Sequence, residues 1–335
     1  MRRIAAAAAL VCIISCGGGG SAPQSAQPVA PSVPAEPAQP VNRWSVAGTL
    51  VDTVGRQPIA GVNITPGWDL AAVETAADGS YEIGAPANPP TTPYKLSISG
   101  SDLLTREVWV TWQQGPRTGV TLDAIRNRPP FSLEFYRQFV RGTYDNGGPY
   151  ANFRWMDAPS FYVRTVDQNG RPVEPEVLAV VREGLGRAVR EFSGGRFAGA
   201  TVETGTDSRA QATGWINVDI RRDPNERTTC GFARVGANPG SITFNNDVCS
   251  CGSNKIPGAL VLHEVGHAMG FFHVPDRNSV MYPYLPGNCP AGVLSPAEKY
   301  HAAIAYSRPR GNLDPDIDPS SARSAAPSQG ITVYH

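Results

Sequence analysis

The chain has 335 residues, 41% hydrophobic and 17% charged, with 29 basic side chains against 29 acidic ones. That length and balance allow two domains with a substantial core, and they leave no overall field to attract nucleic acid, anionic lipid or a strongly charged substrate. Nucleic-acid binding is therefore not expected, and no segment is long and apolar enough to span a bilayer.

Residues 1–16 carry the marks of an export signal: Arg2 and Arg3 are followed by an apolar run over residues 5–14 and then by Ser15-Cys16. The run falls short of the roughly 20 helical residues that a bilayer core requires. Ile13-Ile14-Ser15-Cys16 resembles a bacterial lipobox, which implies lipidation of Cys16 and a place in the cell envelope or on the outer surface of a bacterium. Ordinary cleavage with Cys16 left free, and secretion, is the competing reading. Residues 17–42, rich in Gly, Pro, Ala and Ser, read as a tether, so the only expected membrane contact is through the lipid.

Residues 43–126 contain short strand-like runs at 46–51, 62–65, 81–83, 94–99 and 107–111. Gly55, Gly61 and Asp78-Gly79 supply the turns, and a small all-β sandwich is the predicted result. The runs beginning at Val46 and Glu74 resemble the carboxypeptidase regulatory-like, transthyretin-type sandwich, which implies a spacer or binding module without catalysis. Trp68, Trp109 and Trp112 suit core or interface positions better than a ligand-stacking surface.

Residues 127–308 are predicted to form an α/β (α+β) domain with a twisted mixed sheet. Strands are expected near 161–166, 200–204, 215–220 and 241–245. Between the first two, residues 174–192 form an amphipathic helix with Val177, Val181, Leu185, Ala188 and Phe192 on one stripe. Gly184 and Gly186 weaken that helix by about 1 kcal/mol each relative to alanine. Residues 309–335 are expected to be disordered, and Asp314-Pro315-Asp316-Ile317-Asp318 to be a solvated acidic linker, since it lacks the glycine and terminal glutamate of a calcium loop.

With Cys12 and Cys16 set aside, Cys230, Cys249, Cys251 and Cys289 remain. Their even number in an exported chain suggests two disulfides, with Cys249 and Cys251 each reaching Cys230 or Cys289.

Three of the five histidines fall in one stretch, His263-Glu264-Val265-Gly266-His267-Ala268-Met269-Gly270-Phe271-Phe272-His273. Matching H-E-x-x-H-x-x-G-x-x-H by chance has a probability on the order of one in 10⁵ or less. Residues 257–269 suit a helix that stacks His263 and His267 one turn apart, and Gly270 can end it in the left-handed conformation so that His273 returns to the same point. Three imidazole nitrogens around one open position suit one catalytic zinc ion, with Glu264 as general base toward the attacking water. His301 is expected to be a packed histidine.

This stretch, together with Ser279-Val280-Met281-Tyr282-Pro283, resembles the metzincin zinc peptidases, and the Met-Tyr-Pro form resembles the matrixin branch. The resemblance implies a zincin-like fold and a metalloendopeptidase acting on protein or peptide substrates. It makes Met281 the residue of the Met-turn beneath the metal and Pro283, Tyr284 and Leu285 one wall of the specificity pocket. It also makes Ser241, Ile242, Thr243, Phe244 and Asn245 the cleft-edge strand, for which an internal position in the sheet is the alternative. No cysteine-switch segment and no structural metal loops can be placed, so further metals are not expected. A monomer is expected. The rival functions are a surface adhesin on a peptidase fold, which would lose Glu264 or a ligand, and a zinc hydrolase of a non-peptide bond, which would have a closed pocket.

Overall fold

A computed structural model describes residues 45–334 apart from 68–69, 85–91, 113–114, 146, 208–211, 224, 227, 247, 250–255, 285–291 and 321–330. Residues from Asn42 onward form one compact unit. Cys16, Cys251, Leu285, Cys289 and Trp68 lie outside the described residues, as do the leader and the tether. No helix among the described residues is long and apolar enough to cross a membrane.

Seven strands open the described chain: β1 (Ser45–Asp52), β2 (Asn63–Pro66), β3 (Val73–Glu74), β4 (Ser80–Gly84), β5 (Tyr94–Ser99), β6 (Arg106–Val110) and β7 (Pro116–Ala124). They form two sheets, in the orders β4-β1-β7 and β3-β2-β5-β6. The alternation of Tyr94, Leu96 and Ile98 with polar residues turns one face of β5 inward, where those side chains join Val46, Leu50, Ile64 and Ile83 in a shared core. Gly79 sits at a φ of +75°, where an added Cβ would lie 2.7 Å from the Leu50 carbonyl oxygen, so the turn there admits only glycine. Trp112 stacks on Tyr94 at 4.7 Å between ring centroids, and the Trp109 indole donates to the Asp318 carbonyl oxygen, so both serve packing.

The rest of the chain gives α1 (Leu133–Arg141), β8 (Ser160–Arg164), α2 (Pro175–Phe192), β9 (Val202–Gly205), β10 (Trp215–Arg221), β11 (Gly231–Arg234), β12 (Gly240–Asn245), α3 (Gly258–Ala268), α4 (Pro296–Ser307) and β13 (Thr332–Tyr334). The sheet order is β13-β11-β12-β10-β8-β9. β12, β10, β8 and β9 are parallel, while at one side β11 is antiparallel to β12 and β13 is antiparallel to β11. The mixed α/β character expected for this half is thus present. The strand of Ser241, Ile242, Thr243, Phe244 and Asn245, expected at the cleft edge, is internal: β10 pairs on one side and β11 on the other, so its backbone groups are already used.

The stripe on α2 is buried as predicted, with Val181, Leu185, Ala188 and Phe192 fully inaccessible against α3 and the sheet residues Phe161, Val163, Ile216 and Val218. Burial of each large apolar side chain contributes about 1.5–3 kcal/mol. The two glycines of α2 have different roles. A Cβ at Gly184 would lie 2.5 Å from Val261 Cγ1 of α3, whereas one at Gly186 meets nothing within 4 Å. Gly184 is what lets the two helices cross closely. Gly184→Ala is therefore expected to destabilise the fold by about 1–3 kcal/mol, and Gly186→Ala to stabilise it by about 0.5–1 kcal/mol. Urea unfolding of the two variants would separate them, and equal effects would remove the helix-crossing argument.

The acidic run after α4 is not solvated. Asp316 is fully buried and Asp318 nearly so, and they close an ion-pair clamp between the sandwich and the α/β layer. Arg308 donates from Nε to Asp316 Oδ1 at 2.7 Å, from Nη1 to Asp123 Oδ2 of β7 at 2.6 Å, and from Nη2 to Thr53 Oγ1 at 3.0 Å. Arg106 of β6 donates to Asp318 Oδ2 at 2.9 Å, and the Asn312 amide donates to both Asp316 and Asp318. The expectation of disorder beyond residue 308 therefore fails for residues 309–320, because these charges find buried partners across two layers. It fails again at β13.

Candidate metal centre

α3 owes its position to apolar residues on every side: Ala259 through Ala268 are all buried, including His263, Glu264 and His267. It ends where Gly270, at a φ of +105°, turns the chain, with the Gly270 and Phe271 amides donating to the carbonyls of His267 and Gly266. The turn brings His273 back, and the ligand atoms of His263, His267 and His273 lie within 4.8 Å of one another.

Each imidazole is oriented from behind. His263 Nδ1 lies 2.7 Å from the Val280 carbonyl oxygen and His267 Nδ1 lies 2.8 Å from that of Phe271. His273 Nδ1 lies 2.6 Å from Asp145 Oδ1. An oxygen at Nδ1 requires the proton there, which leaves the Nε2 lone pairs as the inward-facing donors. His263 Nε2 and His267 Nε2 are only 3.2 Å apart. Two lone pairs facing each other repel unless a cation lies between them, and a tetrahedral zinc with bonds of about 2.0–2.1 Å sets its nitrogens at a closely similar separation. Burial pulls His263 down to about 3, helped by His273, and holds His267 well below the usual imidazole range, so both stay neutral as ligands must be.

Glu264 is fully buried, and neither carboxylate oxygen has a hydrogen-bond partner among the described residues. Burial pushes its carboxyl well above the usual range. The carboxylate faces the start of β11, where a Cβ on Gly231 would lie 2.7 Å from Oε1. A buried carboxylate with unpaired oxygens beside three converging nitrogens fits a centre built for a dication and a reacting water. As packing alone, a buried acid with neither oxygen hydrogen-bonded among the described residues is costly even when neutral.

Met281 is buried beneath the helix, and Gly266 makes room for it: a Cβ there would lie 2.4 Å from Met281 Sδ and 2.8 Å from Phe192 Cζ. The loop is fastened by Glu298 of α4, which accepts from Ser279 Oγ at 2.5 Å, from the Met281 amide at 3.2 Å and from the Ser295 amide at 2.6 Å. Beside His263 lies a cavity of about 170 Å³ lined by Leu260, Tyr282, Pro283, Tyr284 and the Cys230–Cys249 disulfide. Pro283 and Tyr284 thus stand at a pocket next to the histidines, and Cys249 has reached Cys230. His301 is packed away from the centre, held between Ala297 and Ser132.

Two contributors escaped the sequence, Asp145 and Glu298. Asp145 also accepts the His273 amide at 3.1 Å, so one carboxylate fixes both ring and backbone of the third histidine from 128 residues away. Nothing local marks it. Asp145→Ala is expected to weaken zinc binding by about 10–100-fold, measured by chelator competition. Unchanged affinity would relegate Asp145 to ordinary packing.

Residues 243–297 match the matrixin family, Peptidase_M10. The match takes in the end of β12, α3, His263, His267, His273 and the Met281 loop, and it supports a metzincin-like zinc metallopeptidase. No curated protein matches the chain. Similar solved structures include two type II cohesin–X-dockerin complexes from Acetivibrio cellulolyticus. The C-terminal interface mutant has 16% identity over 24% of this chain and 56% of that one, with a TM-score of 0.20. The N-terminal interface mutant has 21% identity over 25% of this chain and 58% of that one, also with a TM-score of 0.20. A putative membrane-associated protein of unknown function from Bacteroides fragilis NCTC 9343 has 20% identity over 25% of this chain and 28% of that one, again with a TM-score of 0.20. Likeness at that level carries no weight for fold or function.

Proposed function

We propose that the chain is an exported zinc endopeptidase that hydrolyses peptide bonds in extended protein segments. The observation that carries this is the geometry around α3: the ligand atoms of three buried histidines converge within 4.8 Å of one another, and a buried carboxylate with no hydrogen-bond partner among the described residues stands next to them. His263, His267 and His273 would hold the zinc. When bound, the ion supplies Lewis acidity toward the scissile carbonyl and makes water more acidic.

Glu264 takes the proton of the attacking water and delivers it to the leaving amine. Its low-dielectric surroundings favour the transfer, because a carboxylate with no competing hydrogen bonds is a stronger base than one in water. The Met281 loop holds the floor under α3, and the Val280 carbonyl fixes His263. An extended peptide is best received along β11 in the place β13 takes, since the start of β11 approaches Glu264, with one side chain entering the cavity beside His263. Apolar side chains suit that cavity.

Export and lipidation at Cys16 rest on the leader sequence, and the β-sandwich is best read as a spacer clamped to the peptidase layer. The test is zinc content together with cleavage of an unstructured protein. About one zinc per chain and chelator-sensitive degradation are expected; zinc binding with no cleavage of any unfolded substrate would sink the endopeptidase reading. Mass spectrometry of the N-terminus decides the lipid separately.

A further inference from the structure

The outer edge of β11 is covered by the chain itself. β13 pairs with it antiparallel, with Arg234 opposite Thr332, Ala233 opposite Val333 and Phe232 opposite Tyr334. The ladder continues at Val235, whose amide donates to the Ile331 carbonyl oxygen at 2.8 Å. Each step along β13 moves toward the Gly231 end of β11. Gly231 is the point at which β11 approaches Glu264, since its Cβ would lie 2.7 Å from Oε1.

β13 therefore occupies the backbone groups that an extended peptide would use, and its direction aims the chain at the catalytic base. A peptide lying this way would place the residues preceding its scissile bond along Val235 to Phe232. The contact is short, at three residues with a partner on one side only, whereas β12 is paired on both sides. A strand of that kind holds its place through tethering, which supplies an effective concentration in the millimolar range, and it yields to a competitor.

Resting on the peptidase reading of the site, we infer that β13 is an intramolecular stand-in for substrate that restrains the enzyme until it is displaced or removed. Substrate binds only in the fraction of molecules whose edge is free, so its apparent affinity falls by that fraction. None of the histidines or Glu264 belongs to β13, so kcat is unaffected once substrate is bound.

The experiment compares the full chain with a deletion of residues 331–335 and with Val333→Pro, which removes a ladder donor in the intact chain. Two readouts are taken: hydrogen exchange at the Val235 amide, and KM for a flexible peptide. The expected result is a protected Val235 amide that exchanges freely in both variants, with KM lowered about tenfold or more, kcat unchanged, and a synthetic peptide of residues 329–335 inhibiting the deletion form competitively. Rapid exchange at Val235 in the full chain overturns the pairing, whether or not the protein is active. A KM equal in all three forms overturns the restraint while leaving the peptidase reading intact. Failure of every zinc-loaded form to cleave overturns that reading and the restraint together.

Discussion

Glu264→Gln is expected to bind zinc as the parent chain does and to lower kcat for peptide cleavage by about 10²–10⁴-fold. Glutamine keeps the buried shape but accepts no proton, so the loss isolates proton transfer from packing. Residual cleavage within a few-fold of the parent would exclude Glu264 as the base. The substitution has a second, opposite effect. Burial holds the Glu264 carboxyl well above its ordinary 4.5 in the metal-free fold. A group whose folded value is raised contributes its stability in full below the unfolded value and loses it as pH rises through the folded one. Metal-free Glu264→Gln should therefore be more stable than the metal-free parent at neutral pH, with the difference shrinking toward about pH 4. Denaturant midpoints measured with chelator at the two pH values check this.

Arg308→Ala should destabilise the fold by about 3–5 kcal/mol, because it breaks a buried network and leaves Asp316 and Asp123 to the longer contacts of Arg106. Arg308 is fully inaccessible and bridges β7, the residue after β1 and the segment after α4 in one set of contacts. Burial opposes its charge, but Asp316 and Asp123 more than offset this and keep it protonated. For Asp123 burial acts upward, yet Arg308 and then Arg106 hold its carboxyl below 3.8. Stability from a depressed carboxyl is present above the unfolded value and is lost as pH falls through the folded one, so the clamp weakens on the acid side. The deficit of Arg308→Ala should accordingly be largest at neutral pH. An unfolding free energy within about 1 kcal/mol of the parent would show that the two layers hold together without this arginine.

The candidate metal centre was legible because its pattern is local. Spacings of four and six residues placed His263, His267 and His273, and a glycine at a forced left-handed position placed the turn between them. Periodicity found α2 and its buried stripe for the same reason. What escaped depends on partners far away in sequence. β11 has four residues, one of them glycine, and no alternation long enough to register; it exists because β12 lies beside it. Placing the edge at residues 241–245 followed from missing that short strand. The acidic run at 314–318 reads as surface by composition, and it is distant partners that make its burial tolerable: Arg137 for Asp314, and Arg106, Arg308 and Asn312 for Asp316 and Asp318. Asp145 supports His273 from a loop after α1 that no motif connects to the metal centre. The Ser132 cap and Gly142 stop of α1 are ordinary helix signals, so that element was within reach of the sequence.

Ten consecutive buried residues in α3 separate holding the helix from holding the ion. The helix is kept in place by Val261 against Gly184, by Gly266 against Met281 and by the Gly236 amide, which donates to the His267 carbonyl at 3.0 Å. Metal would thus enter a scaffold held by its own packing, unlike a zinc finger, where binding and folding are one event. Inactivation by a chelator should be a reversible switch: the far-ultraviolet circular dichroism spectrum stays unchanged, and activity returns on adding one equivalent of zinc without a refolding lag.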